Sequence, residues 1–190
     1  MRIDHLRTII AAVIILPALF TSCGPFSETR TDRSAALNGG FEVSSDGLPV
    51  NWSFYSPATL PGSDFTVQTD STGPFEGTYS LLFSVKTCSP EGGRLSPGMF
   101  RELEAEPNST YQLQFAVRND GSRFRAAAGG VTAKSGTLTE LITSDEPWKE
   151  WKDLSFEVTV PEDSRRLRFE LSILQPGSVR VDGFRFRKVR

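Results

Sequence analysis

Hydrophobic residues fall on every second position through much of the chain. Tyr111, Leu113, Phe115 and Val117 alternate with Gln112, Gln114 and Arg118. Leu154, Phe156, Val158 and Val160 alternate with Ser155, Glu157 and Thr159, and Leu167, Phe169, Leu171 and Ile173 with Arg168, Glu170 and Ser172. A period of two gives one face to a core and one to water, as in an antiparallel strand with a solvated side. Leu81, Phe83 and Val85 repeat the pattern in a shorter run. Pro-Asn, Asn-Asp-Gly, Pro-Glu-Asp and Pro-Gly clusters separate the runs and predict turns. The one helix-compatible stretch, residues 100–106 (FRELEAE), meets Pro107 too soon to stand as an isolated helix, and it reads as a strand. Many short strands at roughly ten-residue spacing predict an all-β fold, a two-sheet antiparallel β-sandwich.

The last run changes phase. Val179 and Val181 face one way, but after Asp182-Gly183 the apolar positions become Phe184 and Phe186. A β-bulge at Asp182-Gly183 would produce this slip and re-aim the Asp182 side chain. A simple kink that leaves Asp182 with no special partner fits the pattern equally well.

The N-terminus adds a segment outside the sandwich. Arg2 and Arg7 precede an apolar run at 9–20, shorter than the roughly 20 residues that span a bilayer. Basic start, short apolar core and small residues before a boundary read as a signal peptide over 1–22. Thr21-Ser22-Cys23-Gly24 resembles a bacterial lipobox, with Phe20 where leucine is usual. That resemblance implies a lipidated Cys23, a membrane anchor and a place in the bacterial cell envelope, at the outer membrane or cell surface. Removing the signal would leave 168 residues, one domain's worth. Residues 23–36 lack periodicity and predict a flexible tether before a domain at 37–190; an edge strand is the other reading.

Composition removes most chemistries. The one histidine, His5, lies in the signal segment, so Ser-His-Asp and Cys-His catalysis and imidazole zinc sites are excluded. Cys88, just after an apolar run, reads as a half-buried thiol with no disulfide partner once Cys23 is acylated. No phosphate-binding glycine loop is present. A glycosidase-type carboxylate pair survives as the one enzymatic alternative, although no pair stands out. Without its signal the chain carries 19 Lys/Arg against 22 Asp/Glu, a net −3, which argues against nucleic acid. The basic C-terminal run 185–190 reads as a solvated edge, or as a contact for anionic lipid or an acidic partner.

Five stretches then fit one known order. Asn38-Gly39-Gly40-Phe41-Glu42 with Leu48-Pro49-Val50-Asn51-Trp52, Glu76-Gly77-Thr78-Tyr79-Ser80-Leu81, residues 107–118, residues 151–161 and residues 177–186 resemble the carbohydrate-binding modules of families 4, 9 and 22. The resemblance implies a galactose-binding-like jelly roll and a non-catalytic, glycan-binding role. It also implies a structural Ca2+ site, with carbonyls of Gly40 and Tyr79 and side chains of Glu42, Glu76 and Asp182. Gly183 departs from the pattern, where a second Asp is usual. Trp52 and Trp151 match positions that pack into or against the core. Trp148, Phe54 and Tyr55 are then the candidate sugar platforms, and Gln112, Gln114 and Arg118 the candidate polar contacts. Each has a plain alternative: loop aromatics plug sandwich ends, and outward polar residues meet water. A structural subunit of an envelope complex, with a protein partner and no glycan, is the competing function.

Overall fold

The computed structural model describes residues 26–132 and 136–190. Two antiparallel sheets face each other. In the first, β1 (Glu28–Thr29), β4 (Ser53–Tyr55), β7 (Gly98–Glu104), β12 (Arg166–Ile173), β9 (Phe124–Val131) and β10 (Thr139–Ser144) lie side by side in that order. In the second, the order is β11 (Trp148–Thr159), β8 (Thr110–Asn119), β13 (Gly177–Lys188), β6 (Ser80–Thr87) and β5 (Asp64–Asp70). A small ribbon, β2 (Ser44–Ser45) and β3 (Leu48–Pro49), precedes them. The predicted sandwich is thus the fold, and residues 98–104 are a strand. Among the described residues no helix is long and apolar enough to cross a membrane.

The alternation read from the chain builds the core. Leu113, Phe115 and Val117 of β8 face Leu167, Phe169 and Leu171 of β12, all fully buried. Phe169 touches Phe115 and Phe184 across the sheets at 5.1 and 4.8 Å between ring centroids. Trp52 meets the edge of Phe184 at 5.0 Å, and its indole N–H donates to the Asn38 carbonyl at 3.0 Å. Each buried aromatic of this size removes 150–250 Å² from water, so this cluster dominates the packing. Leu154, Phe156 and Val158 are only half-buried, because β11 is an edge strand.

The opening and closing segments meet. Asn38 accepts from the Val43 amide and donates to the carbonyls of Val43 and Val50, which folds the first turn onto itself. Phe184 N–H donates to the Gly39 carbonyl at 2.9 Å. A Cβ on residue 39 would stand 1.9 Å from the Phe184 carbonyl oxygen, so only glycine allows this approach. On β13 the pairing moves from Asp182 opposite Ala116 to Arg185 opposite Gln114, one residue extra on β13. The predicted bulge is present, and it returns Phe184 to the core.

Residues 26–36 differ from the expected free tether. Glu28 and Thr29 pair with Phe54 and Ser53, and Thr29 and Ser53 hydroxyls bond at 2.7 Å. Asp32 caps the short 3-10 turn Arg33–Ala35, and Asn51 donates to the carbonyls of Asp32 and Ala36. Short polar side chains that bond backbone give this segment order without an apolar stripe. Residues 23–25 and the signal segment lie outside the described residues.

Gly39→Ala should destabilise the domain by about 2–3 kcal/mol, since the neighbour it would strike is backbone. Gly62→Ala, where a Cβ would meet nothing within 4 Å, should change stability by less than about 0.5 kcal/mol. Urea denaturation of the two variants checks this, and equal midpoints would contradict it.

Candidate functional site

Three carboxylates named from the sequence gather where the chain ends meet. Asp182 is fully buried and accepts three backbone N–H groups: Phe75 at 2.9 Å, Glu76 at 3.1 Å and Gly183 at 2.7 Å. Burial pushes its carboxyl up to about 6, against the pull of those three donors, and the neighbouring Glu76 charge pushes the same way. Glu42 accepts the amides of Thr78 and Tyr79 at 2.9 and 3.1 Å. Gly77, with φ of +65°, lets the loop come this close: a Cβ there would sit 2.2 Å from a Glu42 oxygen. Glu76 pairs with Arg185. Gly40 faces all three: a Cβ there would lie 3.8 Å from Glu76 Oε1, 3.9 Å from Asp182 Oδ1 and 3.7 Å from Glu42 Cγ. The oxygens are hard donors of the kind calcium takes. As they stand, they serve amides and an arginine, and among the described residues no three acidic, His or Cys side chains are grouped to hold a metal.

The sequence-named glycan contacts divide. Phe54 is buried in the core, since it is the inward residue between Ser53 and Tyr55 on β4. Trp148 is also buried: it meets Phe124 edge-on at 5.5 Å, with the Lys152 ammonium 4.1 Å from its ring. Burial of its large apolar area draws it over the sandwich end, so neither ring is an open platform. Gln112, Gln114 and Arg118 lie on the outward face of the second sheet. Gln112 bonds Ser155 and Arg187, Gln114 bonds Asp153, and Arg118 donates to the carbonyls of Thr72 and Gly73. Trp151 lies on this outer face too, its N–H on the Gly73 carbonyl at 3.0 Å and Arg118 over its ring. Arg185, Arg187, Lys188 and Arg190 all find partners within the chain. Cys88 is free and packs on the core, where burial pushes its thiol up.

Tyr55 alone of the six reaches a groove, on the outer face of the first sheet. Its ring is 2% exposed. Its hydroxyl accepts from Arg168 Nη2 at 2.6 Å and lies 3.4 Å from Glu170 Oε2. Burial pushes the phenol up to about 12, with the Glu170 charge adding to it. Arg168 also donates to Glu170 Oε2 through Nη2 at 2.7 Å and Nε at 3.2 Å, and its guanidinium carbon sits 3.7 Å from the Phe100 ring centroid. Register puts these groups together: Arg168 stands opposite Glu102, and Glu170 opposite Phe100. Glu102 holds Arg166 at 2.6 Å. Three cavities of roughly 520, 430 and 260 Å³ adjoin in pairs, the first two at Phe100, the first and third at Glu102 and the last two at Arg168 and Glu170, and so form one groove across β1, β4, β7, β12 and β9. Residues 26–31 wall one side, and Thr132, Gly136 and Leu138 the other.

Sequence reading missed Phe100, Glu102, Arg168 and Glu170 as site residues. One signal was available: Phe100 is an aromatic in the outward phase of its strand, alternating with the inward Met99 and Leu103.

A groove with one flat aromatic-guanidinium surface and a ring of fixed donors and acceptors is suited to a polar, extended ligand. Comparison with known proteins gives the family. The family model described as "Carbohydrate binding domain" matches residues 34–177. The CBM22-1 xylan-binding domain of Paenibacillus barcinonensis Xyn10C is similar in structure, with a TM-score of 0.58 at 13% identity over 80% of this chain and 92% of that one. The C-terminal family 22 module of Clostridium thermocellum Xyn10B gives 0.56 at 15% identity over 78% and 89%. TmCBM61, in complex with β-1,4-galactotriose, gives 0.53 at 16% identity over 80% and 96%. No curated protein matches the chain. At these identities the structures share the fold, while the family model covers most of the sandwich. The chain belongs to the carbohydrate-binding domain family.

Proposed function

We propose that this protein is a non-catalytic, lipid-anchored glycan-binding protein of the bacterial cell envelope, with its poly- or oligosaccharide ligand in the groove of the six-stranded sheet. The observation that carries the reading is Arg168, stacked on Phe100 and bonded to Tyr55 and Glu170. Sugars present hydroxyls at their edges and C–H groups on their faces. Fixed guanidinium N–H groups and carboxylate oxygens suit the first, and a flat stacked pair suits the second. A cleft is likewise the ligand-binding element named for the Clostridium thermocellum module. The groove's acids, Glu102 and Glu170, are engaged by Arg166 and Arg168, which favours binding over hydrolysis. The anchor is supported by the lipobox-like Thr21-Ser22-Cys23-Gly24 after the apolar run.

The clasp at Gly40 is where calcium would bind, through Glu42, Glu76 and Asp182 side chains and the carbonyls of Gly40 and Tyr79. A bound ion would supply positive charge to the buried Asp182 and to the more exposed Glu42 and Glu76, and would tie the chain ends to the 71–79 loop. Arg185 already supplies part of that charge to Glu76, so the affinity should be modest, with Kd roughly 10⁻⁴–10⁻³ M.

Binding by the full chain to a glycan array should fall about tenfold or more in Phe100→Ala and in Arg168→Ala, with circular dichroism unchanged. Gln114→Ala should bind as the parent does. Loss in Gln114→Ala with retention in Arg168→Ala would move the site to the other sheet, and silence across the array would favour a protein partner. Calorimetry with millimolar calcium should give heat and a raised Tm that a chelator reverses; no heat and no shift would dispose of the calcium reading. Palmitate labelling in cells should mark the parent and spare Cys23→Ser. Equal labelling of the two would sink the anchor.

A further inference from the structure

We infer that the groove takes an anionic glycan, with Arg94 beside Phe26 seating a carboxylate-bearing sugar unit at one end. This rests on the groove being the glycan site. Three arginines line it, Arg94, Arg101 and Arg168, against two acids, Glu102 and Glu170. Arg168 is matched by Glu170 at 2.7 Å and Glu102 at 3.9 Å. Arg101 has no carboxylate within ion-pair distance among the described residues. Its guanidinium donates to the carbonyls of Asn51, Leu37 and Ala36 at 2.6, 2.9 and 3.2 Å, contacts that fix its position and leave its full positive charge beside the groove. Arg94 has no carboxylate within ion-pair distance among the described residues. The groove is therefore net positive in a chain that is net −2. A positive cleft on a negative protein concentrates anions and repels nothing neutral, so it selects for acidic ligands.

The geometry at that end gives the charge a place to act. Phe26 is 61% exposed, and the Arg94 guanidinium stands over its ring at 4.9 Å. The ring restricts the guanidinium, which lowers the entropy lost when its planar fork grips a carboxylate through two N–H groups. The remaining open part of Phe26 offers an apolar surface to a sugar face. Arg94 belongs to the short 3-10 turn Gly93–Leu95, whose Gly93 amide is pinned to Ser172 Oγ at 3.0 Å. Phe26 lies two residues before β1, which pairs with β4. Residues 26–33 precede the stretch matched by the family model, so this wall is an addition of this chain to the family's frame.

Two matched probe pairs test the inference by calorimetry on the full chain: glucuronoxylan against plain xylan oligosaccharides, and oligogalacturonates against their methyl esters. The acidic member of at least one pair should bind about tenfold more tightly at low salt. Arg94→Gln should remove most of that preference by lowering the acidic affinity toward the neutral one, and Arg94→Lys should keep more of it. Arg168→Ala should weaken acidic and neutral probes alike. Equal affinity within both pairs, or an acidic preference untouched by Arg94→Gln, would overturn the acidic subsite and leave the groove in place. If no probe binds the parent, the groove reading falls, and the subsite with it.

Discussion

A buried carboxylate at the end of the chain governs how this sandwich closes. Asp182 has no exposure to water, and an ionised carboxylate in that position costs several kcal/mol unless its lone pairs are satisfied. Three backbone N–H groups satisfy it, two of them from the 71–79 loop. That requirement fixes the loop against β13, where Asp182 lies in the phase opposite to Val179 and Val181, and the bulge that follows it returns Phe184 to the core. The same loop offers amides to Glu42 from the opening segment. One acid on the last strand and one near the start therefore meet at a single turn, with Gly39 and Gly77 as the two places where backbone must come closest.

The pinned loop decides which sheet is available for a ligand. Its carbonyls at Thr72 and Gly73 take Arg118 and Trp151, and so part of the outer face of the five-stranded sheet is used up by the chain itself. Further along that face, Gln112, Gln114, Ser155, Asp153 and Arg187 bond one another across strands. The six-stranded sheet is built by the same alternation but has a raised wall at either side, and its outward groups surround open volume. Arg168, Glu170 and Tyr55 are held by each other there, in a cluster rigid enough to present donors and acceptors at fixed positions.

Much of the fold was legible in the chain because β8, β12 and β13 carry large apolar residues at strict period two, and the phase slip at Asp182 is a one-residue event that pattern alone can register. The strands with weak patterns were not. β9 reads Phe-Arg-Ala-Ala-Ala-Gly-Gly-Val, and its small residues answer to neighbours rather than to a period. A Cβ at Gly129 would stand 2.1 Å from the Thr137 carbonyl, a constraint visible only once Thr137 lies over the strand. The site was harder still. Trp148 sits in a polar stretch, Asp145-Glu146-Pro147-Trp148-Lys149, but its own apolar area buries it. Phe54 and Tyr55 are adjacent, and no rule of composition says which of the two faces out until the register with Phe100 and Met99 is known. The three carboxylates follow from the resemblance to families 4, 9 and 22, and their meeting around Gly40 is geometry that the order of the motifs does not state.

The segment read as a tether alters the functional picture most. Its polar residues cap, pair and bridge: Thr29 on Ser53, Asp32 on Ser34, Asn51 across to Asp32 and Ala36. Each is a local hydrogen bond that hydrophobic patterning cannot reveal. Ordering this stretch turns it from a spacer into a wall of the groove. A lipid on Cys23 would then be separated from Phe26 by at most about 10 Å of chain. A groove that begins so near its anchor would open close to the bilayer, where negative lipid head groups repel acidic polymers. Positive charge at Arg94 and Arg101, which meets no carboxylate among the described residues, would offset that repulsion at the face where a ligand has to enter.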